Sequence, residues 1–192
     1  MKHVCVFVAA MLFVAAADAT TWADSEMTDP LTGKKVPSKE IMSYGGYIYN
    51  WPSKYDLVFW PLTDENWICL NPENGYAAFN DDFEELSKQE KETLKSWLVA
   101  NYNPSEAPKS YEQKLDWLER VYRQRKKDDA FWCTFYRLMA YTHREHREKS
   151  LVYVKKAIPL LEAQLKKNPK DIDRIEVLFS LGEYYRRTGE TA

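Results

Sequence analysis

The stretch SKQEKETLKSWLVAN, residues 87–101, decides the fold. Ser87 followed three residues later by Glu90 is a capping box, in which the hydroxyl accepts an orphan backbone N–H of the first turn and the carboxylate reaches back to the cap. Leu94, Trp97 and Leu98 then share one helix face, and Asn103-Pro104 stops the pattern. The same grammar repeats downstream. Ser110 with Gln113 opens a second helix whose face is Tyr111, Leu115, Leu118 and Tyr122. Asp128 or Asp129 caps a third, with Phe131, Phe135, Leu138 and Met139 facing inward. The fourth carries Leu151, Val154, Ile158, Leu161 and Leu165; Pro159 lies within this stripe, which continues in phase, so a kink is expected there rather than an end. A fifth runs from Asp171 to Thr188 with Ile175, Leu178, Leu181, Gly182 and Tyr185, and Gly189 supplies the left-handed residue that terminates helices.

Upstream of this region the composition changes. Between Tyr44 and Phe79 lie Tyr47, Tyr49, Trp51, Tyr55, Phe59, Trp60, Trp67 and Tyr76, punctuated by Gly45-Gly46, Pro52, Pro61, Asn71-Pro72 and Asn74-Gly75. Short aromatic runs bounded by turn residues predict strands. The expected fold class is therefore α+β, mainly α: a small strand-rich element over 44–83 followed by an array of about five helices over 84–192. Residues 20–43 are polar and turn-rich and read as a mobile or loosely attached arm.

Residues 1–19 read as a secretory signal. Lys2 and His3 precede an apolar run from Val4 to Ala17, too short for the roughly 20 residues of a spanning helix, and Ala17-Asp18-Ala19 offers small residues at the cleavage point. The expected location is the periplasm or the extracellular space, with the mature chain beginning near Thr20 and no stable membrane anchor. Cys5 would leave with the signal, so Cys69 and Cys133 remain in an oxidising compartment. Either they pair, which would close a long loop worth about 4 kcal/mol, or both are small buried apolar residues. Neither has a histidine in its own segment to activate a thiolate.

The full chain of 192 residues, 45% hydrophobic and 29% charged, has enough apolar material for one packed domain or two small ones and is no disordered protein. A net charge of −2 lacks the footprint of a nucleic-acid binder.

Two internal echoes stand out. Met139-Ala140-Tyr141-Thr142-His143-Arg144 laid over Leu181-Gly182-Glu183-Tyr184-Tyr185-Arg186 matches large apolar, small, two variable positions, ring, arginine. A small residue that admits a neighbouring helix beside a ring that fills the layer is the packing logic of tetratricopeptide-type helix pairs. In the N-terminal half, Asp29-Pro30-Leu31-Thr32-Gly33 and Asn71-Pro72-Glu73-Asn74-Gly75 share x-Pro-x-x-Gly. That is the backbone of a zinc knuckle when its flanking positions are cysteine. Here they are Asp29, Thr32, Asn71 and Asn74, so no structural zinc is expected.

Through Asn71-Pro72-Glu73-Asn74-Gly75-Tyr76-Ala77-Ala78-Phe79, the helix opening Leu86-Ser87-Lys88-Gln89-Glu90-Lys91, and Leu181-Gly182-Glu183-Tyr184-Tyr185-Arg186-Arg187, the chain resembles an uncharacterised bacterial family. That family joins a zinc-ribbon-like N-terminal segment to a tetratricopeptide-like helical part. The resemblance implies architecture, not chemistry, and this chain departs from it at all four expected metal ligands.

Sharper site readings meet blander ones. His143 and His146 with Glu145 could face a metal from one helix turn, but His143 aligns with Tyr185 and reads as the ring of the repeat. Arg120, Arg123, Arg125, Lys126 and Lys127 could bind an acidic partner, but cations at a helix C-terminus suit the macrodipole and read as a solvated end. Asp29, Asn71, Glu73 and Asn74 lack the acidic spacing of a calcium loop. No catalytic residue, cofactor site or metal site is assigned. The function expected is non-enzymatic binding of a protein or peptide by an exported helical-repeat protein, with Arg144 and Arg186 as ligand-binding candidates for an acidic or carboxylate group. The alternative is a cell-envelope carbohydrate-binding module or enzyme using the aromatic N-terminal element. The fifth helix lacks a following partner, and self-association through that end is one expectation, with a polar capping role or a truncated form of a longer repeat array as the alternatives.

Overall fold

The computed structural model describes residues 20–44 and 56–189. The expected signal at 1–19 and residues 45–55, with Tyr47, Tyr49, Trp51 and Tyr55, lie outside them.

Strand β1 (Thr20–Thr28) pairs antiparallel with β2 (Lys35–Tyr44), in register from Thr20↔Tyr44 to Thr28↔Lys35 with a shift between Thr21 and Trp22. The segment read as a loose arm is thus a long hairpin closed by the Asp29–Gly33 turn. Among the described residues a few apolar side chains fasten it: Leu31 and Val36 are buried, Met27 packs on the core and Trp22 packs on Trp60 and Trp67. So sparse an apolar signal carries no visible periodicity.

The strand-rich element comes out smaller than expected. Among its described residues, β3 (Ile68–Leu70) pairs with β4 (Ala77–Phe79) around the Asn71–Gly75 turn, and 56–67 is turns with one short 3-10 helix, Glu65–Trp67. Ala77, Ala78 and Phe79 are all buried, because helices cover what a wider sheet would otherwise cover.

The five expected helices form, the first three where their N-caps predict. They are α1 (Lys88–Asn101), α2 (Tyr111–Tyr122), α3 (Asp129–Thr142), α4 (Arg147–Lys166) and α5 (Asp171–Thr188). Capping boxes at Ser87/Glu90 and Ser110/Gln113 are complete in both directions, and Asp128 accepts from the Phe131 N–H. Helix α4 runs on through Pro159, and Gly189 ends α5 at φ 79°. Helix α3 packs on α4, α4 on α5, and α2 on β4. Of the apolar residues expected on α5, Leu181 is buried, whereas Ile175 is 63% and Leu178 46% exposed; the inward face is Val177, Ser180, Leu181 and Tyr184. One continuous apolar cluster runs from Leu31 through β4 and all five helices to Tyr184, so hairpins and helices share a core.

Candidate functional site

The two x-Pro-x-x-Gly turns, far apart in sequence, meet face to face. Asp29, wholly buried, accepts from the Asn71 Nδ2 at 2.5 Å and the Asn74 Nδ2 at 2.7 Å through one oxygen, and from the Leu31 N–H at 2.7 Å through the other. All four positions that the family resemblance assigns to metal ligands do the same local job. Asp29, Thr32, Asn71 and Asn74 each accept the backbone N–H two residues ahead, from Leu31, Lys34, Glu73 and Tyr76. These residues do not fit a zinc ion: two amide groups turn their N–H donors to the centre, and an amide nitrogen that donates cannot ligate. A carboxylate buried among charge-assisted donors joins the turns instead. Among the described residues, no group of three or more His, Cys, Asp or Glu is set to hold a metal.

Elsewhere, β4 and α3 line a cleft of about 450 Å³. Phe79, Phe131, Phe135, Leu138 and Leu62 make its walls, with Phe131 and Phe135 stacked at 5.8 Å. Its rim is charged. The 3-10 turn after β4 delivers Asp81 and Asp82, and Lys127, just ahead of the α3 cap, pairs with Asp82 at 2.6 Å and lies 5.0 Å over the Phe131 ring. Burial, and then the neighbouring Asp82, raise the Asp81 carboxyl above its ordinary pKa. A second cleft of about 410 Å³, between the two turns and α1, is lined by Leu31, Leu98, Val99 and Tyr102 with Glu73 and Lys95, and has one acid where the first has two. A deep apolar cleft with both signs of charge at its mouth can seat an apolar side chain and orient the chain that bears it.

The structure revises several residue-level expectations. The basic stretch is a solvated end only in part: Arg120, Arg123 and Lys126 are exposed, Arg120 lying 4.6 Å over Trp117 and Arg123 4.5 Å over Trp132, whereas the Arg125 side chain is buried and grips both Asp82 oxygens at 2.8 and 2.9 Å. His143 and His146 sit in the α3–α4 turn rather than on one helix turn, the first buried against Tyr153 at 5.7 Å and the second exposed. Burial, with Lys149 nearby, lowers the His143 pKa. Arg144 lies over its neighbour Tyr141 and beside Glu145, and Arg186 is held by Glu183 at 2.8 Å, each by its own segment. The neighbouring Arg187 reaches furthest, to Asp56 at 2.8 Å, where Tyr184 also donates at 2.8 Å. Cys69 and Cys133 are both free and buried. Burial raises both thiols, that of Cys69 to about 12, which makes each a core residue rather than a nucleophile.

Sequence reasoning misses the cleft. Phe131, Phe135 and Leu138 are visible as an apolar helix face, and only the apposition of β4 turns that face into a wall.

The fold and cleft define an α+β protein in which two small hairpins are set against five helices. Over residues 34–192 the chain matches the model of a family described as "uncharacterized protein conserved in bacteria (DUF2225)", and it belongs to that family. No curated protein and no solved structure matches it. Among the described residues, no helix is long and apolar enough to cross a membrane.

Proposed function

We propose that this is an exported, non-enzymatic protein that binds a protein or peptide segment, built as a metal-free zinc-ribbon-like head on a tetratricopeptide-like helical array. The observation that carries the reading is the cleft between β4 and α3, with its Phe79, Phe131 and Phe135 walls and its Asp81, Asp82 and Lys127 mouth. It suits an aromatic or aliphatic anchor flanked by a basic residue that meets Asp81. The described tryptophans favour this over a glycan platform. Trp22 packs on Trp60 and Trp67 at 5.6 and 6.4 Å, and both Trp22 and Trp60 turn their N–H to Asp64, so these rings are engaged with one another and Trp60 is buried. The paired turns support the ribbon-like part, and the matched segments around Ala140 and Gly182 support the repeat-like part. Export rests on the reading of residues 1–19. Self-association through α5 belongs to the same reading.

The test is selection of a displayed random peptide library on the purified protein. Wild type should enrich peptides with an apolar anchor next to Lys or Arg, and Thr134→Trp, which fills the cleft from an exposed lining position, should enrich none of them. Equal enrichment by the two proteins removes the cleft from the reading. Arg144→Ala with Arg186→Ala, leaving binding unchanged, removes those arginines.

A further inference from the structure

The outward face of α5 has the pattern of a surface made to meet itself. At 100° per residue, Asp171, Ile175, Leu178, Phe179, Gly182 and Arg186 fall on one side of the helix, opposite Val177, Ser180, Leu181 and Tyr184, which are buried. All six are exposed. An acid stands at one end, a base at the other and an apolar stripe between them.

Gly182 adds an independent observation. Mid-helix glycine costs about 1 kcal/mol relative to alanine, and here nothing among the described residues requires it: a Cβ built on Gly182 meets none of their atoms within 4 Å. The matched residue Ala140 is wholly buried, and its carbonyl accepts from Ser150 at 2.7 Å. The position that admits a close neighbour within the chain at 140 faces outward at 182.

We infer that two copies of this chain associate through α5, antiparallel about a twofold axis passing between Leu178 and Phe179. In that register Asp171 faces the partner's Arg186, Ile175 enters the notch at the partner's Gly182, and Leu178 packs on the partner's Phe179. Every contact occurs twice, as an isologous interface demands. Glu183 already holds Arg186 at 2.8 Å, so in this register the guanidinium is shared between Glu183 and the partner's Asp171; a parallel pair would instead set Asp171 beside Asp171, which the antiparallel arrangement avoids. The inference rests on the self-association reading above and is independent of peptide binding in the cleft.

The register is tested by complementary charges. Ile175 is exposed and Gly182 has open space, so Ile175→Lys and Gly182→Glu leave the core untouched, which circular dichroism checks. In sedimentation velocity the wild type should form a closed dimer. Each single variant should weaken it about 30-fold or more. The double variant sets an ammonium at position 175 against a carboxylate at position 182 of the other copy, twice over, and should recover most of that loss. A dimer insensitive to both single variants, or one that the double variant fails to restore, overturns the register while leaving self-association standing. A monomer throughout, with α5 cross-linking to a different protein in native extract or to none, overturns both.

Discussion

The two x-Pro-x-x-Gly turns share sequence pattern, backbone form and hydrogen bonds, yet their surroundings differ. Gly33 and Gly75 have φ of 75° and 79°, and each turn closes with the glycine N–H donating to the first residue's carbonyl, at 2.7 Å to Asp29 and 2.8 Å to Asn71. The first turn buries Asp29 and Leu31 but leaves Thr32 and Gly33 exposed. The second is clamped by helices: the Tyr102 ring lies against Gly75, its hydroxyl donates to the Pro72 carbonyl at 3.0 Å, and Trp117 donates to the Gly75 carbonyl at 2.7 Å. Identical local chemistry therefore carries different weight according to what covers it.

The sharpest way to break this comparison is Gly75→Ala. The new Cβ would overlap the Tyr102 ring and sit on a left-handed residue, so a loss of about 4 kcal/mol or enough to unfold the chain is expected in urea denaturation. A loss under 1 kcal/mol would show that the clamp gives way freely. Asp29→Ala comes next, since it strips the shared acceptor from two amides and a backbone N–H; about 3 kcal/mol should be lost, and a near-neutral result would mean that the turns do not depend on each other. Asn74→Ala and Thr32→Ala compare equivalent positions. Asn74 both accepts from Tyr76 and donates to Asp29, whereas Thr32 is exposed and makes one long bond, so losses of about 2 and under 0.5 kcal/mol are expected from the same melts. Smaller than the Asn74 effect should be Gly33→Ala, at about 1 kcal/mol, because only backbone strain opposes it where a Cβ meets nothing within 4 Å. Equal losses at Gly33 and Gly75 would contradict the contrast between the turns.

A similar contrast runs through the reading of the sequence. Helix ends were legible because caps are local: Ser87, Ser110 and Asp128 satisfy N–H groups three residues away, and Gly189 needs no distant partner. The β1–β2 hairpin was not legible as ordered, since its stability comes from strand pairing and a few anchors such as Leu31 and Val36 rather than from an apolar period. Within the basic stretch, Arg125 misled for a related reason. Charges after a helix suit its dipole, and nothing local announces that Arg125 will be buried against Asp82, which lies 43 positions away. The cleft was half legible, as one apolar wall without its opposite.

Taken alone, the chain's amino-acid order determined the five helices, their limits, the two matching turns and the mainly α class, because capping and periodicity act over three or four residues. Tertiary structure decided which faces became core, which cations became internal ligands, and where Phe79 meets Phe131 and Phe135. Those outcomes depend on contacts between residues distant in the chain, and such contacts exist only once the elements have packed.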